Sequence, residues 1–132
     1  MLTEKPNSNT LHLHQMSALE IVETMNSEDA TIAQAVRGVQ QENASAVELI
    51  TERLEKGGRL FYVGAGTSGR MGVLDASECP PTFGTLPDMV QGIMAGGETA
   101  MTDAVEGAED DFCAGEDTMR NKKVVDRDVV VG

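Results

Sequence analysis

A glycine-rich turn between an apolar run and a helical pattern is the feature that most constrains this fold. The sequence LFYV, residues 60–63, is typical of a short buried strand. It is followed at once by GAGTSG, residues 64–69. Two further strands are predicted at Met89–Ala95 and Val129–Val131, with helical stretches between them. Because strands that alternate with helices form parallel sheets, we predict an α/β fold with helices on both faces of the sheet.

The first 56 residues are predicted to form a separate helical region, followed by the sheet region from residue 57 to residue 132. Residues 1–16 are expected to be a polar, extended arm. Ser17 and Glu20 have the spacing of a capping box, which starts a short helix. A second helical stretch is predicted to begin at Ser27, as two helices or one kinked helix, and to end at the glycine pair 57–58.

Two helical stretches are predicted inside the sheet region. The first runs from about Ser68 to Glu78 and is expected to stop before Pro80 and Pro81, because proline cannot continue a helix. The second covers residues 98–123 and is predicted to consist of two pieces around Gly115.

The glycine-rich turn allows three interpretations. It satisfies G-x-G-x-x-G, which fits a simple tight turn between strand and helix. A dinucleotide-binding turn requires an acidic residue about 20 positions on, and neither Asp88 nor Glu98 lies at the end of the second strand. A phosphate monoester suits the turn better, since the hydroxyls of Thr67 and Ser68 and the N–H groups of Gly66 and Gly69 are potential donors at a helix N-terminus.

Charge and composition restrict the partners. The net charge is −12, which argues against nucleic acid, because phosphate backbones require Lys and Arg. No secretory signal and no apolar run of membrane-spanning length is visible, so we predict a cytoplasmic protein without a membrane partner. The two cysteines and two histidines have no metal-site spacing, and neither metal nor cofactor is expected.

Three glutamates stand out in the sheet region. Glu78 is predicted to lie at the end of the first helix, and a spacing of three places Glu106 and Glu109 on one helical face. Taken singly, each is most simply a solvated residue.

A family resemblance gives these glutamates a role. The sequence GGRLFYVGAGTSGRMGVLDASECPPTFG, residues 57–84, closely resembles the signature of the N-acetylmuramic acid 6-phosphate etherases, which are built on a sugar isomerase (SIS) domain. The segments IMAGG, residues 93–97, and EGAED, residues 106–110, match in the same order. The ASECPPTFG stretch separates these etherases from general SIS isomerases, which share only the glycine loop.

The resemblance implies a lyase that splits the D-lactyl ether of N-acetylmuramic acid 6-phosphate into N-acetylglucosamine 6-phosphate and D-lactate. It also implies a homodimer without cofactor. The catalytic pair of the family maps onto Glu78, assigned as acid, and Glu109, assigned as base, although the residues alone do not separate these roles. The alternative is a non-catalytic sugar-phosphate-binding SIS module, similar to the regulator of glucokinase.

Chains of this family are roughly twice as long, so the sequence is expected to correspond to their N-terminal part and to the first half of a SIS-type sheet. Nothing in the sequence after Val129–Val131 would cover that strand. We therefore expect the 132-residue chain on its own to associate or to be partly molten, with little or no etherase activity.

Overall fold

The structure is a computed structural model that describes residues 5–132. Its backbone contacts group into two compact units, one within residues 5–45 and the other at Ala46–Gly132. The predicted division at residue 56 stays a prediction. No helix among the described residues is long and apolar enough to cross a membrane.

The first unit is dominated by one long helix, α1, which spans Ala18–Gly38. The predicted capping box is confirmed, because the Ser17 side chain accepts from the Glu20 amide while the Glu20 carboxylate accepts from the Ser17 amide. Before α1 lie two short 3-10 helices, Ser8–Thr10 and Leu13–Gln15, instead of an entirely extended arm. Residues 1–4 of the predicted arm lie outside the described residues.

The predicted second helix start at Ser27 is wrong. Ser27 lies inside α1, where its hydroxyl donates to the carbonyl oxygen of Glu23 at 2.8 Å. That bond satisfies the hydroxyl within the helix, so a serine here does not require a helix start. The break comes instead at Val39, and helix α2 follows over Gln40–Glu55.

Helix α2 ends in the predicted glycine cap. Gly57 adopts a left-handed conformation with φ of 76°. Its amide donates to the carbonyl oxygen of Leu54, and the Gly58 amide donates to that of Arg53. These two bonds define a Schellman motif, which satisfies carbonyl groups that the helix itself leaves unpaired.

The second unit contains three parallel strands in the order β2-β1-β3, which confirms the α/β prediction. The strands are β1 at Leu60–Gly64, β2 at Val90–Met94 and β3 at Val129–Val131. Leu60 pairs with Val90 on one side and with Val129 on the other. Leu60 and Phe61 are both buried, so the central strand is covered on both faces, as predicted.

Helix α3 runs from Gly66 to Phe83 and links β1 to β2. The expected stop before the prolines is wrong, because Pro80 and Pro81 lie within the helix. They occupy its last turns, and the helix ends at Gly84, which has φ of 66° and donates its amide to the carbonyl oxygen of Pro80 at 2.9 Å. A glycine in the left-handed conformation therefore ends this helix.

Residues 98–123 differ most from the prediction. They contain two short 3-10 helices, Glu98–Met101 and Ala108–Asp110, and a single helix, α4, at Phe112–Asn121. Gly115 lies inside α4 and does not divide it. The helix begins at Asp111, whose carboxylate accepts from the Ala114 amide at 2.9 Å and so caps the first turn.

Candidate functional site

The glycine loop connects the end of β1 to the start of α3. Ala65 is the N-cap residue, and its side chain makes no capping hydrogen bond. The first intrahelical bond joins the Gly69 amide to the carbonyl oxygen of Ala65 at 3.1 Å. The amides of Gly66, Thr67 and Ser68 therefore precede the hydrogen-bonded part of the helix. All three residues are exposed, which leaves an N-terminus suited to an anion.

Gly69 serves to bring helix and strand together. A Cβ atom on Gly69 would stand 2.5 Å from both the Gly64 carbonyl oxygen and the Met94 sulfur. A Cβ atom on Gly64 would in turn stand 2.9 Å from the Gly69 Cα. Because the Gly69 amide already donates to Ala65, it is not a free donor for a ligand. The predicted phosphate contacts of Gly66, Thr67 and Ser68 stay predictions.

A hollow of about 250 Å³ lies beside this loop. Ala65, Gly66 and Arg70 line it on one side, and the end of β2 lines it at Met94 and Ala95. Its remaining wall comes from Ala100 and residues 103–109. The volume is close to the lower end of small-molecule sites, at about 300 Å³. The structure therefore brings Gly66 and Glu109, two of the predicted site residues, to one hollow.

Residues 101–109, which carry Glu106 and Glu109 and form the carboxylate-bearing segment, fold around Gly96. Gly96 has φ of 84°, and a Cβ atom on it would lie 3.0–3.3 Å from the Cβ atoms of Ala100, Val105 and Ala108. Small residues thus allow the segment to turn tightly over the end of β2. Glu109 lies in a 3-10 helix that Glu106 precedes, so the predicted shared helical face is wrong, although both residues line the hollow.

Arg70 is a residue of this site that the sequence analysis missed. It lies directly after Gly69 in α3 and is half-buried. Its Nε donates to the Met101 carbonyl oxygen at 3.0 Å, and its Nη2 donates to the Asp103 carbonyl oxygen at 3.5 Å. Its position could have identified it, because it is a basic residue next to the glycine loop in a chain with net charge −12. Arg70 places a cation in a hollow whose other charged groups are carboxylates.

Glu78 is not brought to this hollow. It lies on α3, twelve residues after Gly66, which corresponds to about 18 Å along the helix axis. Its side chain is exposed, on the same helical face as Met71 and Leu74, which are 65% and 62% exposed. The structure therefore separates the two glutamates that the sequence analysis paired.

A second hollow, of about 420 Å³, lies on the Ser68 side of the loop. It is lined by Tyr62, Asp75 and Val131 together with residues of the loop. Burial, followed by hydrogen bonding to Asp75, raises the pKa of the Tyr62 hydroxyl, so this group stays protonated at neutral pH. Gly66 and Ser68 thus line two different hollows, one on each side of the loop.

Comparison with known proteins identifies the class to which this arrangement belongs. Residues 42–132 match the family described as the glucokinase regulatory protein N-terminal SIS domain. This match covers most of the chain, and the chain belongs to this SIS domain family.

More specific relatives align with the whole chain. It is 53% identical over 132 residues to the N-acetylmuramic acid 6-phosphate etherase of Gloeothece citriformis (strain PCC 7424). The proteins of the same name from Clostridium acetobutylicum and Glaesserella parasuis serovar 5 are 48% and 50% identical to it. The predicted resemblance to the N-terminal portion of these etherases is confirmed.

The alignment covers 100% of this chain but only 43–44% of each of these three relatives. The chain therefore spans less than half the length of these three etherases.

Proposed function

We propose that this chain forms the N-terminal part of an etherase that cleaves the D-lactyl ether of N-acetylmuramic acid 6-phosphate. The products are N-acetylglucosamine 6-phosphate and D-lactate, and the reaction serves the breakdown of cell-wall amino sugars. The single observation that carries the proposal is the hollow that joins the glycine loop to Glu109. The names of the aligned relatives support the choice of substrate.

In this proposal the sugar phosphate is bound through its phosphate. The amides of Gly66, Thr67 and Ser68 and the two hydroxyls face the phosphate oxygens, where the partial positive charge of the helix N-terminus favours an anion. The sugar ring then extends into the hollow toward residues 106–109. Binding at this loop requires no metal ion, because the donors are those of the chain itself.

The chemistry requires one carboxylate and one carboxylic acid. In the ring-opened sugar, the aldehyde at C1 acidifies the proton on C2, and a carboxylate removes it. The C3–O bond breaks as an acid protonates the departing lactate oxygen, and water then adds to the new double bond. We assign Glu109 as the base and Glu78 as the acid, since one group must be ionised while the other is neutral at the same pH.

Only one of the two glutamates lines the hollow. Glu109 lies at the hollow, whereas Glu78 is assigned only because its sequence context, ASECPPTFG at residues 76–84, matches the family. A homodimer is part of the proposal, and the acid is then supplied by Glu78 of a second copy.

The test is release of D-lactate from N-acetylmuramic acid 6-phosphate. In protein that shows this activity, Glu78→Gln and Glu109→Gln should each lower turnover by about 10²–10⁴-fold, which is the usual contribution of a positioned proton-transfer group. Binding of the sugar phosphate should change far less. Glu116→Gln is the matched control, because Glu116 is an exposed residue of α4. Near-normal lactate release by both site variants would contradict the assignment.

Mixing the two inactive variants sharpens the test. If Glu78 and Glu109 act on one substrate from different copies, a mixed dimer contains one site with both glutamates intact, and activity returns. If both act within one copy, every site of the mixed dimer lacks a glutamate, and the mixture stays inactive.

The second candidate function is a sugar-phosphate-binding module without catalysis. The observation in its favour is the family match itself, since the family description names a regulatory protein. A chain that binds N-acetylglucosamine 6-phosphate at the glycine loop but releases no D-lactate from the ether substrate would favour this alternative.

A further inference from the structure

Arg70 joins two parts of the candidate site that lie far apart in sequence. Its guanidinium group reaches from α3 to the carbonyl oxygen of Met101, 31 positions along the chain, at 3.0 Å. A second, longer bond of 3.5 Å reaches the carbonyl oxygen of Asp103. Met101 and Asp103 stand at the start of the segment that leads to Glu106 and Glu109. The guanidinium group therefore connects the helix of the glycine loop with the carboxylate-bearing segment.

The carboxylate-bearing segment has few other anchors. Residues 102–107 are exposed, and the neighbouring Ala100 is the buried residue that fixes its beginning. Ala100, Val105 and Ala108 pack around Gly96, which holds the segment to the end of β2. None of these four residues belongs to α3. The hydrogen bonds of Arg70 connect the segment that leads to Glu109 with α3, the helix of the glycine loop.

We propose that Arg70 is a positioning residue that holds the segment 101–109 against the first turns of α3 and so sets the place of Glu109 relative to the glycine loop. Arg70 acts through the carbonyl groups of Met101 and Asp103. This inference rests on the proposed function for the identity of the ligand, a sugar phosphate. Arginine suits this role because its planar group holds several N–H donors in fixed directions, whereas lysine offers a single point charge.

Hydrogen exchange tests the contact without requiring activity. In Arg70→Met, the amides of Thr102 and Asp103, which both donate to the Thr99 carbonyl oxygen, should exchange about tenfold faster, since hydrogen bonds from a charged donor are lost. The amides of β1 should not change. Arg70→Lys should resemble Arg70→Met, and Arg120→Met is the control, because Arg120 pairs with Glu116 on the exposed surface of α4. Unchanged exchange at Thr102 and Asp103 in Arg70→Met, or full rescue by lysine, would overturn the proposal.

Ligand binding separates positioning from a general loss of structure. N-acetylglucosamine 6-phosphate is titrated into isotope-labelled protein, and the amide signals of residues 66–68 and 106–109 are followed. In the unsubstituted chain both groups of signals should shift with one dissociation constant. In Arg70→Met, the signals of residues 66–68 should keep shifting with an affinity within about threefold, while those of residues 106–109 should no longer respond. Retention of both responses, or loss of both at unchanged thermal stability, would overturn a positioning role.

Failure of the proposed function can be distinguished from failure of the proposed role of Arg70. If the unsubstituted chain shows no shifts with the sugar phosphate, the proposed function of the hollow fails. The hydrogen-exchange result for Thr102 and Asp103 then decides the role of Arg70 on its own, since it depends only on contacts within the chain.

Discussion

The two units of the chain differ in how deeply their apolar residues are buried. In residues 5–45, the apolar residues of α1 form a regular pattern, yet Leu19, Val22 and Ile32 are 57–66% exposed. In residues 46–132, Phe61 is fully buried and Leu60 is 5% exposed. Apolar periodicity therefore indicates a helix or strand in both units, whereas it indicates a packed core only in the second.

The difference shows what stabilises each unit. The second unit contains a cluster in which Leu60, Ala76 and Val90 are buried against partly buried neighbours. None of residues 5–45 is buried, so this unit depends on hydrogen bonds at its surface, such as the capping box of α1 and the bond from Asn9 to Glu28. Substitutions should therefore have large effects where tertiary packing is tight and small, local effects in α1.

Matched glycine substitutions should produce the largest contrast. Gly69→Ala places a methyl group 2.5 Å from the Gly64 carbonyl oxygen, so helix and strand must separate, at a cost of about 3 kcal/mol of unfolding free energy. Gly38→Ala has nothing within 4 Å of the new atom and should be neutral or stabilise α1 by up to about 1 kcal/mol. Urea unfolding followed by circular dichroism measures both. Equal effects of the two substitutions would contradict the comparison.

The ion pair of Arg59 and Asp128 should give the next largest effect. Arg59 Nη2 donates to Asp128 Oδ2 at 2.7 Å, and the Asp128 side chain is fully buried. The carboxylate also accepts from the backbone amides of Arg59 and Val125. Hydrogen bonding by the Arg59 side chain is the main cause that lowers the pKa of Asp128 from 3.8 to about 2. A shift of this size corresponds to about 2 kcal/mol of stability.

The sign of the pH dependence follows from the lowered pKa. In the unfolded chain Asp128 takes up its proton near pH 4, whereas in the folded chain it stays ionised until about pH 2. Its stabilising contribution is thus complete above pH 4 and is lost as the pH falls toward 2. Asp128→Asn should lower the unfolding free energy by about 2 kcal/mol at pH 7, and the difference from the unsubstituted chain should shrink at low pH. A difference that is constant from pH 7 to pH 2.5 would exclude this coupling.

Glu28 is the matched carboxylate of the first unit. Hydrogen bonds from the side chains of Asn9 and Asn7 lower its pKa, and it lies half-buried on α1. Glu28→Gln should leave the unfolding of residues 46–132 unchanged at every pH.

The smallest predicted effect lies at the start of α1. Ser17→Ala removes the capping box and should destabilise α1 by about 1 kcal/mol. The Ser17 side chain is also the main cause that lowers the pKa of Glu20, so this pKa should rise toward its ordinary value in the variant. Carbon chemical shifts of the first helical turn and a titration of Glu20 measure the two effects. Ser27→Ala, inside the same helix, should leave both unchanged, and an equal response to the two substitutions would count against the cap.

Local signals in the sequence predicted much of this fold. The apolar run of β1, the glycine loop, the capping box at Ser17 and the glycine cap at Gly57 all act within a few residues, and all are present. At the end of α3, proline and glycine are competing signals for where the helix stops. The two prolines of α3 lie in its last turns, and Gly84 in the left-handed conformation, rather than proline, ends that helix.

The candidate site was only partly predictable. The family resemblance predicted both Gly66 and Glu109 as site residues, and both line one hollow, although Gly66 follows the end of β1 closely whereas Glu109 lies well beyond the end of β2. It could not predict the path of residues 98–110, which depends on the packing around Gly96. The predicted helix from about Ser68 to Glu78 already placed Glu78 far from the glycine loop along the helix axis, and the structure shows that Glu78 does not line the hollow.

The strand order also determines the sequence in which the strands can pair during synthesis. The central strand β1 is the first to leave the ribosome, and its pairing with β2 requires closure of a much shorter stretch of chain than its pairing with β3. Each doubling of a loop adds about 0.6 kcal/mol to its closure entropy, so β1, α3 and β2 can form a folding nucleus before β3 joins. The edge of β1 that later receives Val129 is therefore open during this interval, and a newly made chain is most vulnerable to misassembly at that edge.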